Sequence, residues 1–200
     1  MRILMLGAGA VGGYFGGRMA EAGSDVTFLV REGRAAQLRN GLKIESPRGD
    51  STVPVKTLSE ENVDGSFDVI MLSCKAYGLT GAIKAIAPHV SESTLILPLL
   101  NGYAHIERLE ERFPASVVLG GTAGIVATLT GDGTVRQMNP NQLIVLGPRR
   151  SVSDSSNTLE TLVSEMKQAD INATLSTNID QAMWEKWTFL ATLAASTCLM

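Results

Sequence analysis

The sequence predicts an α/β fold, a doubly wound parallel sheet, and three observations point there. Short apolar runs alternate with helical patterns from Arg2 to Leu119. The runs are continuous rather than alternating with polar residues, which marks strands covered on both faces. Glycines crowd the junction between the first run and the first helical pattern, where such folds make their tightest strand-to-helix turn.

Strands are expected at Arg2–Leu6, Asp25–Val30, Asp68–Ser73, Thr94–Leu97 and Ser116–Leu119. Helices are expected near Ala10–Ala22, Arg34–Asn40, Gly78–Ala87 and Ala104–Arg112. Leu42–Val55 breaks the rhythm with Pro47, Gly49 and Pro54, and reads as a small hairpin insertion. From Gly121 to Leu146 residues alternate around turn signals at Gly131-Asp132-Gly133 and Asn139-Pro140. Antiparallel strands added to the sheet edge are expected there. Ser151–Asn157 reads as a polar loop, followed by a helix to about Ala169 and a short strand at Asn172–Leu175. The last helical pattern begins near Asn178 and carries no stop signal as far as Met200.

Composition narrows the function classes. The 200 residues are 44% apolar and 18% charged, with a formal net charge of −3. That balance supports a buried core and gives no basic surface for nucleic acid. Cys74 and Cys198 lie far apart in sequence and suit neither a disulfide framework nor a metal site. They fit a reducing cytoplasm. No apolar stretch is long enough to span a bilayer. Ile3–Leu6 is too short for a signal peptide and runs into glycines, so it reads as a buried strand.

The glycines spell Gly7-Ala8-Gly9-Ala10-Val11-Gly12, after an apolar strand and at the start of a helix. In that context the first glycine permits the turn, the second lets backbone approach a diphosphate, and the third packs helix on strand. The helix N-terminus offers free N–H groups and partial positive charge. Gly7, Gly9, Ala10, Val11 and Gly12 are therefore expected to hold a dinucleotide in a Rossmann-type site, the alternative being a glycine-rich turn without a ligand. Sites for NAD usually end the second strand with a carboxylate that binds the ribose 2′-hydroxyl. Here Arg31 stands there, about twenty residues after Gly12, and suits the 2′-phosphate of NADP(H). Arg34 can assist it, Glu32 can also reach the ribose, and a solvated loop arginine is the plainer alternative.

Candidate chemistry gathers where ligands bind such sheets, beyond the carboxyl ends of the strands. Lys75 follows one strand and Asn101 another, and each has a bland alternative as a surface lysine or an Asn-Gly turn. Lys186 shares a helical stripe with Ala182, Met183, Phe189 and Leu190. It either snorkels to water or faces a cavity, where a lowered pKa would suit an acid acting on a carbonyl oxygen. His89 reads as solvated. His105 can line the crevice but lacks a partner for proton relay. Glu60, Glu61, Asp64, Glu107, Glu110 and Glu111 read as solvated faces.

These residues resemble the ketopantoate reductase (2-dehydropantoate 2-reductase) family over nearly the whole chain. The matching segments are Gly7–Gly16, Val30-Arg31, Cys74-Lys75-Ala76, Asn101-Gly102, Gly121–Ile125 and Trp184-x-Lys186. The resemblance implies that Lys186 is the general acid and that Lys75 and Asn101 line the nicotinamide and substrate site. It also implies an NADP-binding domain over 1–177, with 178–200 opening a helical substrate domain whose remainder is absent. Leu190 and Ala194 stand where family members tend to carry asparagines, so the substrate can differ from ketopantoate.

The expected activity is NADPH-dependent reduction of a small 2-oxo acid, 2-dehydropantoate or a related ketone. Two other readings stay open: a non-catalytic dinucleotide-binding redox sensor, and a related reductase acting on a hydroxy acid or an imine. The apolar run Trp187–Met200 is expected to self-associate, and this chain by itself to turn over 2-oxo acids poorly.

Overall fold

The computed structural model describes residues 1–59, 65–149 and 156–199. Strand β1 (Arg2–Leu6) leads through helix α1 (Ala10–Glu21) to β2 (Asp25–Leu29) and α2 (Glu32–Leu38). A hairpin of β3 (Leu42–Glu45) and β4 (Ser51–Val53) precedes β5 (Lys56–Leu58). Then come β6 (Val69–Leu72), α3 (Leu79–Ile86), β7 (Leu95–Pro98) and α4 (His105–Glu110). The remainder is β8 (Leu119–Gly124), β9 (Ala127–Leu129), β10 (Val135–Gln137), β11 (Leu143–Pro148), α5 (Ser156–Gln168), β12 (Asn172–Leu175) and α6 (Ile179–Cys198). The acidic residues Glu60, Glu61 and Asp64, and nearly all of the expected loop Ser151–Asn157, lie outside the described residues.

The central sheet runs β5-β2-β1-β6-β7, parallel throughout. Its continuous apolar runs have a simple cause. Ile3, Met5, Phe28, Met71 and Leu97 enter one core, while Leu4, Leu6, Ile70, Leu72 and Ile96 enter a second. Successive strand residues face opposite sides, and both sides are covered. The chain winds outward from β1 through β2 and returns through β6, so a crevice opens beyond β1 and β6.

Glycines let α1 fit between two layers. A Cβ at Gly16 would come within 2.8 Å of the Phe28 ring on the central sheet. A Cβ at Gly17 would come within 2.7 Å of Ile44, on a second sheet ordered β4-β3-β10-β9. Glycine costs a helix about 1 kcal/mol relative to alanine, and here it allows contact that a side chain would block.

Three expectations are corrected. The fifth parallel strand is Lys56–Leu58, while Ser116–Val118 adds to that sheet an isolated parallel bridge between Ile96 and Val118, and Leu119 opens β8 in another sheet. The antiparallel strands form two sheets of their own, the second ordered β12-β11-β8, rather than simply extending the central edge. His89 is buried, with its ring edge-on to Phe67 at 5.7 Å, because the turn after α3 folds back over the sheet.

Helix α6 begins where the sequence places it, with the Asn178 side chain accepting a hydrogen bond from Gln181 N at 3.3 Å. Its first turns bury Ile179 and Met183. They lie almost on bare backbone. A Cβ at Gly120 would be 2.6 Å from Ile179, and one at Gly147 would be 2.4 Å from the Ser176 carbonyl. Among the described residues no helix is long and apolar enough to cross a membrane.

Candidate functional site

The turn from β1 into α1 forms one wall of a cleft of about 560 Å³. Gly7 takes φ +88°, which a side chain rarely tolerates. Ser73, at the end of β6, holds this turn by donating to the Leu6 carbonyl at 2.9 Å. Gly12 faces the same hydroxyl so closely that a Cβ would stand 2.1 Å from it and 2.4 Å from the Gly7 carbonyl. Gly9 instead has open space where its Cβ would be. The α1 N-terminus, with Ala10 and Val11 in its first turn, has no side-chain cap and no acidic residue. Uncapped N–H groups beside an open glycine fit a dinucleotide diphosphate.

Arg31 and Lys75 line the same cleft and are exposed. The Arg31 side chain makes no hydrogen bond or ion pair among the described residues. Arg34 lines the cleft as well, with Nη2 buried and without a hydrogen-bond partner among the described residues, while its other two nitrogens are engaged. It donates from Nε to the Ala8 carbonyl at 2.9 Å and from Nη1 to the Gly133 carbonyl at 2.8 Å. It thus ties the glycine turn to the β9–β10 hairpin, whose Leu129 also lines the cleft. Glu32 is exposed at the start of α2 and outside the cleft lining. Cys74 lines the cleft, and burial pushes its thiol up, so it stays protonated.

Asn101 and Lys186 meet outside this cleft, just past the carboxyl end of β7. The Lys186 ammonium donates to Asn101 Oδ1 at 3.1 Å and to the Ala123 carbonyl on β8 at 2.6 Å. The lysine is therefore turned inward onto two oxygens rather than snorkelling, and burial alone lowers its pKa. Met183 of its expected stripe is buried, whereas Phe189 is exposed. His105 is buried on α4 and lies outside the cleft lining. Burial, with the charge of Arg149, lowers its pKa to about 4 and keeps it neutral.

A hydrogen-bonded cluster lies beside the Lys186 contact. Tyr103, two residues after Asn101, stacks on Trp184 at 5.1 Å and donates to Asp180 Oδ1 at 2.7 Å. Arg149, just past β11, donates to the same Asp180 oxygen at 2.8 Å and to the Tyr103 hydroxyl at 2.9 Å. Its remaining nitrogen pairs with Glu110. Glu110 is thus a partnered group rather than a solvated face.

A sequence profile of the family described as ketopantoate reductase PanE/ApbA matches residues 3–151. The chain belongs to the ketopantoate reductase family. An uncharacterized oxidoreductase of Bacillus subtilis, YkpB, is 37% identical over all of this chain and 65% of its own length. A 2-dehydropantoate 2-reductase of a Nostoc species is 26% identical over 91% of this chain and 58% of its own. The crystal structure of 2-dehydropantoate 2-reductase from Geobacter metallireducens superposes with a TM-score of 0.83 at 33% identity. It covers 93% of this chain, which in turn covers 61% of that one. The chain thus spans less than two thirds of the length of these relatives.

Within this family fold, sequence reasoning selected Gly7, Gly9, Gly12, Arg31, Lys75, Asn101 and Lys186, and the structure places them in two groups: Gly7, Gly9, Arg31 and Lys75 around the cleft with Gly12 packed against its turn, and Asn101 with Lys186 apart from that lining. It missed Ser73, Tyr103, Arg149 and Asp180. Ser73 and Asp180 carry the only prior signal, a hydroxyl ending a strand and an acid in a helix first turn. Among the described residues no group of three or more His, Cys, Asp or Glu side chains is placed to hold a metal.

Proposed function

We propose that the protein reduces a small 2-oxo acid to the 2-hydroxy acid with NADPH, the substrate being 2-dehydropantoate or a related ketone. The observation that carries this reading is Lys186, held by Asn101 Oδ1 and the Ala123 carbonyl. An ammonium has three donors. Two are engaged here, and the third is available to a substrate oxygen.

When bound, the nicotinamide supplies the hydride to the ketone carbon. Lys186 gives its proton to the carbonyl oxygen as that oxygen becomes a hydroxyl, and its charge stabilises the alkoxide beforehand. Asn101 spends its amide oxygen on Lys186 and keeps its NH₂ for substrate or nicotinamide. The glycine turn and the α1 N-terminus hold the diphosphate. Arg31 pairs with the 2′-phosphate, and Lys75 orients the ligand across the cleft. Leu190 and Ala194, further along α6, add no polar group beyond Lys186 and favour a 2-oxo acid with an apolar substituent.

The division into a dinucleotide-binding domain over 1–177 and a helical unit opening at 178 belongs to the same proposal. So does self-association: Phe189 and Leu193 are exposed on α6 and Leu199 just past its end, with Met200 outside the described residues. Sedimentation of the 200-residue chain tests it, and a monomer at high micromolar concentration rejects it.

The deciding experiment follows oxidation of NADPH, with NADH in parallel, against a panel of 2-oxo acids using the full-length protein. Turnover of at least one acid with NADPH preferred supports the proposal. Cofactor binding without any turnover would instead favour the redox-sensor reading.

A further inference from the structure

We propose that Arg149 and Tyr103 are positioning residues for Lys186. With Asp180 they lock the first turns of α6 against the turn carrying Asn101, and so set where the Lys186 ammonium sits. The inference rests on the reading of Lys186 as the proton donor.

Helix α6 has few anchors. Of its residues only Ile179 and Met183 are buried, and they press one face on β8 and β11. A single line of apolar contact lets a helix roll about its axis. Asp180 and Trp184 supply a second line on another face, and both close on Tyr103. Lys186 lies about 9 Å along the axis from Asp180 at 1.5 Å per residue. Any roll at Asp180 is therefore carried directly to the lysine. The receiving end is fixed as well, since Gly102 at φ +86° makes the turn and packs against the Trp187 ring.

Arg149 joins the parts. One guanidinium meets Asp180 on α6, the Tyr103 hydroxyl beside Asn101, and Glu110 on α4. Its planar fork fixes direction as well as distance. A half-buried ionic cluster contributes little net stability over an apolar one of the same shape, whereas orientation is what its geometry supplies. Among the described residues no side chain of the cluster is hydrogen-bonded to the Lys186 ammonium. The ammonium's partners are two neutral oxygens, and burial alone shifts it.

The test is a lysine side-chain carbon-13 NMR titration of Lys186, assigned with Lys186→Arg. It is run on the full-length protein and on Tyr103→Phe, Arg149→Ala and Arg149→Lys, with melting temperature and turnover followed in parallel. Tyr103→Phe keeps the stack on Trp184 and removes only hydrogen bonds, so it decides the matter if Arg149→Ala fails to fold. Lys186 is expected to titrate below an ordinary lysine in the parent. It should move up toward the ordinary value in Tyr103→Phe and Arg149→Ala, and part of the way back in Arg149→Lys. Turnover should fall by up to about 10²-fold, the cost of displacing a reacting group by about 1 Å, while KM changes little. Lower melting temperatures with an unmoved Lys186 titration and unchanged turnover would show a merely structural cluster and overturn the proposal. If the parent reduces no 2-oxo acid yet the titration moves as expected, positioning stands and the assigned reaction falls.

Discussion

Lys186 on α6 and Asn101 after β7 are 85 positions apart in sequence, and the lysine donates to the asparagine's Oδ1 at 3.1 Å. Helix, turn and β8 strand converge on one ammonium, so removing it should separate chemistry from binding. Lys186→Ala is expected to lower turnover by about 10²–10⁴ and to leave NADPH affinity nearly unchanged. Steady-state rates beside a binding titration check this, and turnover within a few-fold of the parent removes Lys186 from the reaction.

The lowered pKa of Lys186 has a directional consequence. A proton donor works in its protonated form, and burial makes this proton leave at a lower pH than from free lysine. Reductive turnover should therefore fall as pH rises, along a limb that begins below the ordinary lysine range. A pH–rate profile in the reductive direction measures it. A limb lying at or above the free-lysine value would contradict the assignment.

Arg31 and Arg34 are neighbours with different work. Arg31→Ala should abolish the preference for NADPH over NADH, a change of about 1.5–3 kcal/mol for a charge-assisted contact. Calorimetric titration of both cofactors gives the ratio directly.

Arg34→Ala should act otherwise, because it leaves the Ala8 and Gly133 carbonyls without this donor. NADPH and NADH should weaken together, and the protein should lose about 1–3 kcal/mol in denaturant unfolding. A selective loss of NADPH alone would return Arg34 to the phosphate site.

Gly12→Ala is expected to disable the cofactor turn. Its new methyl would meet both Ser73 Oγ and the Gly7 carbonyl. Pairing it with Ser73→Ala relieves the first clash and leaves the second, which is backbone. Cofactor affinity should therefore stay low in the double variant, and recovery there would place the constraint on Ser73 alone.

Much of this arrangement was legible in the sequence for local reasons. The runs Arg2–Leu6, Val69–Leu72 and Leu95–Pro98 are apolar on both faces because both faces are covered, and a turn such as Gly7–Gly12 writes its own geometry. Asn178 announces α6 through its capping chemistry. What stayed hidden depends on distant partners. Lys56–Leu58 is short and largely polar, so its place at the sheet edge follows from β2 rather than from its own pattern. The parallel pairing of Val135 with Ile44 is likewise non-local. Arg31 and Arg34 look alike as arginines at a strand-to-helix junction until Gly133 is seen beside one of them. Arg149 follows a proline at the end of a strand, and nothing near it in sequence hints at Asp180 or Tyr103.

Gly120 and Gly147, where the start of α6 rests on the sheet, make the strands a ruler for that helix. Side chains at a helix–sheet contact can swap sizes and repack, so the spacing there drifts with substitution. Here the strand side of the contact is main chain, which cannot change size, facing Ile179 and Met183. The start of α6 is thereby calibrated by the strands themselves. A single added methyl at Gly120 or Gly147 would lengthen the ruler, and the lysine would be read off at the wrong mark.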